Sequence, residues 1–337
     1  MYYAETRMIN DIAAALITLV LLAFFFGCGE EFEDKSQSLL MKAEILSVVL
    51  EPPEAEPGET VRASFLVSDQ YGVLDAPLNL WVPAADSAVK GEVNPERGKD
   101  SLAVEDDLKR YGLDPEDLLS PVLVFTLPKD DQYQLNEAGQ SPHKISLFVA
   151  VDEDATDPDA LKQDLFGYVA RGVLRLAYRT LIVSRRENRN HNPIIDSISV
   201  SGPDGAAREM KLVRHSDADL SAARLEAAAD PFVTPAETEL TISAKAHDPE
   251  QKAEELRYQW ISTGGDFQGR RKMEQPFSAP EYDEGAGDGE TNPDGRKDPN
   301  LHPVWLIVRD NGADDTLGQA WAEFYVRVTP PAINASE

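Results

Sequence analysis

Apolar residues at every second position, broken repeatedly by Pro, Gly and Asn, constrain this chain more than any other feature. Val61, Ala63, Phe65 and Val67 alternate with Arg62, Ser64, Leu66 and Ser68. Residues 240–246 alternate in the same way. Leu256, Tyr258 and Trp260 share one face, as do Val304, Leu306 and Val308, and Ala320, Ala322, Phe324, Val326 and Val328 repeat the pattern near the C-terminus. Side chains two apart lie on one face of a strand, whereas a helix needs spacings of three and four. Shorter β-rich runs occupy 45–50, 78–82, 122–127, 145–151, 175–184 and 194–200, with turn signals such as Glu51-Pro52-Pro53 and Pro57-Gly58 between them. The pattern predicts an all-β chain whose alternating strands turn one face to a core and the other to solvent.

The 337 residues suffice for two domains. The polar segment RRENRNHNP at 185–193 is the best boundary, because it is charged, carries no apolar period and ends in Asn-Pro. It divides a domain at 43–186 from one at 193–331, with 187–192 as linker and 332–337 as tail. Two stretches have helical spacing instead, 101–111 and 157–171, with Ser101 and Asp157 as caps and Pro158 near a first turn. Both are read as short helical insertions in the first domain. Within 206–232 an Ala-rich stretch containing Leu220, Arg224 and Leu225 predicts one further helix.

Sixty acidic against 32 basic residues give a formal net charge of −28. Such a surface repels phosphate backbones, so no nucleic-acid partner is expected, and the excess acid keeps the protein hydrated. There is no Gly-x-Ser-x-Gly and no His-Glu-x-x-His, and the five histidines (143, 191, 215, 247 and 302) are scattered. No enzyme is expected; a hydrolase with its site among the helical insertions is the weakest alternative. Cys28 is the single cysteine, so neither domain contains a disulfide.

Residues 12–26 read IAAALITLVLLAFFF without a charge. That is shorter than the roughly 18–20 residues of a permanent membrane helix and has the size of a signal-peptide core. The polar stretch after it, GEEFEDKSQSLLMK at 29–42, suits a tether. Phe25-Phe26-Gly27-Cys28 resembles the lipobox of bacterial lipoproteins. The resemblance implies a signal peptide at 1–27, cleavage before Cys28, lipidation of Cys28 and attachment to a membrane, with Gly29 fitting the outer membrane.

Two further resemblances concern the domains. Ile45 through Pro53, Pro57-Gly58-Glu59-Thr60 and Val61 resembles the opening of bacterial immunoglobulin-like domains. Ala246-His247-Asp248-Pro249-Glu250 with Leu256-Arg257-Tyr258-Gln259-Trp260, and Val308-Arg309-Asp310-Asn311-Gly312, are similar to PKD-like and cadherin-like sandwiches. Together they imply two immunoglobulin-like β-sandwich domains in tandem, of a kind that serves adhesion, spacing or ligand binding.

Two candidate sites emerge. In the related sandwiches, acids at strand ends converge near a domain junction to hold calcium. Asp248, Glu250 and Asp310 occupy matching places, with Asp314 and Asp315 nearby. The loop at 281–300 mimics part of an EF-hand through Glu290, Asn292, Asp294 and Gly295. It has Leu301 where a bidentate Glu is needed, and it is read as a hairpin loop. The second candidate follows from strand parity. If Val304, Leu306 and Val308 point inward, then Trp305, Trp321 and Tyr325 point outward, either as an exposed apolar stripe or packed against the first domain or the Ala-rich helix. Trp260 belongs in the core. The expected function is a lipid-anchored, extracytoplasmic, non-catalytic module of the cell envelope, for adhesion or spacing, whose partner is an unknown envelope protein or glycan. The alternative is a carbohydrate- or cell-wall-binding protein that uses the three aromatics.

Overall fold

The computed structural model describes residues 43–70, 72–74, 78–85, 111–114, 116–129, 143–152, 175–250, 256–269, 271–283, 298–310 and 318–331. The signal peptide and Cys28, the tether, the insertion at 157–171, all of 101–111 but Tyr111, Asp314 with Asp315, and the tail lie outside the described residues.

Among the described residues, eight strands belong to the first sandwich: β1 (Glu44–Glu51), β2 (Glu54–Ala55), β3 (Thr60–Asp69), β4 (Gly72–Val73), β5 (Leu78–Ala85), β6 (Val122–Thr126), β7 (His143–Asp152) and β8 (Arg175–Val183). In one sheet β1 pairs with one edge of β3, and β6 and β4 pair with β3 as well; the other sheet runs β2-β8-β7-β5. Pro52 and Pro53 cannot donate to a ladder, so the chain leaves β1 there and crosses to the opposite sheet. There β2 lies parallel to β8, Glu54 against Ile182 and Ala55 against Val183.

The second sandwich repeats that plan with β9 (Ile194–Ser201), β10 (Ala207–Glu209), β11 (Val213–Arg214), β12 (Phe232–Pro235), β13 (Glu239–His247), β14 (Arg257–Ser262), β15 (Asp266–Phe267), β16 (Glu274–Ser278), β17 (Leu301–Arg309) and β18 (Gln319–Thr329). The sheet order is β10-β9-β13-β16-β15 on one side; on the other it is β18-β17-β14, with β11 and β12 also on β18. As in the first sandwich, a short early strand, β12, runs parallel to the last, β18. In the second sandwich β9, β13, β16 and β15 share a sheet and β14, β17 and β18 share the other, and in the first sandwich β1, β3 and β6 stand against β5, β7 and β8 in the same way. That is the immunoglobulin-like order, so the fold is all-β with immunoglobulin-like sandwiches. The Ala-rich segment forms the helix α1 (Leu220–Ala228), whose N-cap Asp219 accepts a hydrogen bond from Ala222 N.

Each sandwich has its own core. Val61, Ala63, Val67, Leu123 and Phe125 meet Trp81, Ile145, Leu147, Val149 and Leu181 in the first. In the second, Ile198, Val200, Leu240, Ile242 and Phe277 meet Trp260, Val304, Leu306, Val308 and Phe324. Trp260 is fully buried and donates its indole N–H to Lys272 O at 2.9 Å.

A third cluster binds the two sandwiches face to face. Leu46, Val49, Leu66 and Val73 of the first sandwich join Val213, Ala227, Ile261, Trp305, Ile307, Trp321 and Tyr325 of the second. The sheet containing β1 and β3 thus packs on the sheet containing β17 and β18, and the four sheets of the described residues form a stack. This overturns one expectation: Ser64, Leu66 and Ser68, placed toward solvent by the alternation of β3, are buried. One strand's period identifies its two faces but not what covers the second.

Within the second sandwich, His302 sits so close to Gly264 that a Cβ there would come within 2.5 Å of the imidazole Nδ1. Its Nε2 is buried without a hydrogen-bond partner among the described residues. Burial pulls the imidazole from its ordinary 6.5 down to about 4, against the opposing pull of Asp298. The unfolded chain therefore takes up a proton that the folded one refuses. The stability due to neutral His302 is complete above pH 6.5 and is lost as the pH falls toward 4, at a cost of roughly 3 kcal/mol. Urea unfolding at pH 7 and pH 4.5 should show that loss in the natural chain. His302→Gln should lose about 2 kcal/mol less over the same interval.

Candidate functional site

Several buried polar groups among the described residues converge on the joint between the sandwiches. The chain leaves β8 at Ser184 and enters β9 at Ile194, and the residues between are tied to both sides. Asn190 donates its backbone N–H to Glu54 Oε2 of the first sandwich at 2.9 Å, and its side-chain Nδ2 to Asp310 Oδ2 of the second at 2.8 Å. Asn192 donates Nδ2 to Leu50 O at 2.7 Å and accepts from Gln319 N at 2.9 Å through Oδ1. Gln319 then reaches across the seam and donates from Nε2 to the Ser47 hydroxyl.

The two carboxylates in this joint are 2% (Glu54) and 0% (Asp310) exposed. Burial of that degree is tolerable only for a charge with partners. Glu54 also accepts from the Ser184 hydroxyl, and Arg186 Nε lies 3.9 Å from it. Asp310 Oδ2 takes a second hydrogen bond, from Gly318 N at 2.8 Å. Only glycine permits that approach, since a Cβ at 318 would stand 2.4 Å from the same oxygen. Nearby, the Arg179 guanidinium donates Nε to Val48 O at 3.2 Å. Burial and the like charge of Arg309 pull Arg179 down to about 9 while Asp310 holds it up, so it is charged at neutral pH.

A second polar node flanks the seam. His215 Nε2 lies 3.2 Å from Glu51 Oε1, its ring packs 6.4 Å from that of Trp321, and Arg62 bridges Glu51 at 2.9 Å and His215 O at 3.3 Å. Burial works to raise the Glu51 carboxyl, but His215 and then Arg62 bring it below the usual carboxylate range. Under α1, Glu323 is 0% exposed; it accepts from Arg224 Nε at 3.2 Å and from the Tyr325 hydroxyl.

Trp305, Trp321 and Tyr325 do point away from the core, as strand parity predicts, and they are neighbours. They are not an exposed stripe: their exposures are 0%, 2% and 9%, because the first sandwich and α1 cover them. The surface that the carbohydrate alternative needed is therefore inside the seam.

The acids expected for calcium are dispersed among protein donors. Asp248 Oδ1 accepts from Glu250 N at 2.8 Å, and Glu250 accepts from both the backbone and the imidazole of His191. Partial burial and then the neighbouring Asp248 raise the Glu250 carboxyl, with His191 opposing. Asp310 faces N–H groups, as above, and Asp314 lies outside the described residues. Of these oxygens only Asp248 Oδ2 is buried without a partner among the described residues. Calcium takes six to eight oxygens. Among the described residues no group of three or more His, Cys, Asp or Glu side chains is placed to hold a metal ion.

Glu54, Arg179, Asn190, Asn192 and Gln319 were not legible as site residues. Asn and Pro in a polar run signal a turn, and the partners of a side-chain amide lie far away in sequence. Glu323 between Trp321 and Tyr325 was the one local hint, since a lone acid among outward aromatics needs a counter-charge.

No protein-family model and no curated protein matches the chain. Among solved structures, it is similar to mouse cadherin-23 EC22-24, with 9% identity over 86% of this chain and 65% of that one, and a TM-score of 0.23. It is also similar to mouse clustered PcdhgC3 EC1-3, with 9% identity over 86% of this chain and 68% of that one, and a TM-score of 0.22. Surface layer protein SbsC, domains 1-6, is similar at 9% identity over 88% of this chain and 29% of that one, with a TM-score of 0.19. The chain spans just under two thirds of the first and under a third of SbsC. The fold class rests on the strand order described above.

Proposed function

We propose that the protein is a lipid-anchored, extracytoplasmic and non-catalytic module of the cell envelope, a rigid two-sandwich block for spacing or for binding an envelope partner. The observation that carries this reading is where the chemically capable side chains go. Glu54, Asp310, Asn190, Asn192, Gln319 and the seam aromatics are spent on holding one sandwich to the other, and Glu323 and Arg224 pair within the second sandwich beneath α1. Groups committed in this way give a fixed shape rather than a reacting centre. The attachment follows from the apolar 12–26 leader, Gly27-Cys28 and the polar tether at 29–42. More than one acyl chain on Cys28, at about 0.8 kcal/mol per methylene, holds such a block at a membrane. With a net charge of −28, the partner is sought among envelope proteins and glycans rather than nucleic acids.

The test is fractionation of cells that express the natural chain or Cys28→Ala. The natural chain should stay with the envelope, lack residues 1–27 and carry lipid. The variant should lose the lipid and most of its membrane association. A Cys28→Ala protein that fractionates unchanged would sink the anchor.

A further inference from the structure

We infer that the joint between the two sandwiches is locked by an asparagine clasp built from protein donors, in the place where tandem sandwiches of this plan were expected to use calcium. The inference rests on the rigid-block reading but is independent of the lipid anchor.

The argument begins with which end of each group faces inward. Asn190 turns its amide nitrogen, not its oxygen, toward Asp310. A cation between them would need the oxygen, so the pair is built to meet directly. Gly318 N aims at the same Asp310 oxygen, and both oxygens of Glu54 are taken, by Asn190 N and the Ser184 hydroxyl. A metal ion entering here would compete with buried N–H donors for these carboxylate oxygens, which disfavours it.

Asn190 and Asn192 each contact both sandwiches, and Gln319 adds a direct bond to Ser47. A linker held at alternate residues to both sides has little freedom to hinge. Two buried carboxylates still need positive charge. The guanidinium of Arg179, from β8, senses Asp310, and Arg186 lies beside Glu54. The cation of this joint is therefore part of the chain.

The experiment is hydrogen–deuterium exchange on the full-length chain in detergent, read at the amides of Asn190, Gly318 and Gln319, with millimolar EDTA or with millimolar CaCl2. The inference expects the same protection in both. It also expects Asn190→Ala and Asn192→Ala each to speed exchange at these amides by about tenfold, with the β7 and β13 amides unchanged as internal controls. Faster exchange in EDTA, or slower exchange in calcium, would overturn the inference, as would asparagine variants that exchange like the natural chain. If either variant fails to fold, the chelation comparison on the natural chain still decides between the two kinds of joint. Loss of membrane attachment in Cys28→Ala would leave all these rates unchanged, so the two readings fail separately.

Discussion

Trp305→Ala should lower stability by about 3 kcal/mol and separate the unfolding of the two sandwiches. The indole is fully buried in the seam cluster, and deleting a buried Trp costs about 3–5 kcal/mol through lost contacts and the cavity left behind. Its Nε1 has no hydrogen-bond partner among the described residues, so removing it relieves a desolvation cost of about 1–3 kcal/mol. That places the expected loss at the lower end of the range. The same logic makes Trp305→Phe nearly neutral, because most of the apolar surface stays and the unpaired N–H goes. Urea unfolding followed by circular dichroism should show one transition for the natural chain and for Trp305→Phe, and two for Trp305→Ala. A cost for the alanine variant below about 1 kcal/mol, with a single transition, would mean that Trp305 faces solvent.

The second large effect is expected at Glu323. Its carboxylate has no exposure, and Arg224 Nε meets it at 3.2 Å from helix α1. Breaking a buried pair by removing one partner leaves a charge uncompensated and costs about 3–5 kcal/mol, whereas removing both charges is often neutral. Arg224→Ala should therefore lower stability by about 3 kcal/mol. Arg224→Leu combined with Glu323→Leu should recover most of the loss that Arg224→Leu causes alone. The Tyr325 hydroxyl, which donates to Glu323, loses its acceptor in that double variant and keeps the recovery incomplete. Melting temperatures of the two single variants and the double variant form the cycle that checks this. Strictly additive losses would show that the two side chains do not interact.

The readable and unreadable parts of this fold separate along a physical line. Parity along β17 and β18 was legible: Val304, Leu306 and Val308 face the core, and Trp305 and Trp321 face away, because a strand's own period fixes its two sides. What lies against the second side belongs to a different part of the chain, and period two carries no trace of it. Leu66, standing on the polar face of β3 between Ser64 and Ser68, was the visible sign that this face too would be covered. The helix at Leu220–Ala228 was legible from its Ala-rich composition, and the structure adds its Asp219 cap. The acids were the hardest to read. In a chain with 60 of them, Asp248, Glu250 and Asp310 look alike, and only coordinates separate a carboxylate that faces N–H groups from one that faces open space. The bonds made by the linker were hidden for a related reason. Asn190 and Asn192 lie in a polar run that marks a boundary, and that run does not show that their side chains close the joint.

The face-to-face seam is the claim on which the stability predictions and the rigid block depend, and Ser47 and Gln319, whose side chains touch across it, test it most directly. With cysteines at both positions of the full-length chain, a short bifunctional thiol reagent should link residues 47 and 319 within one molecule. The link should form at dilute concentration, at a rate limited by the burial of both positions, and be absent from either single variant. If both cysteines react readily with small thiol reagents and no intramolecular link forms, the sandwiches do not lie against each other and the seam described here does not exist.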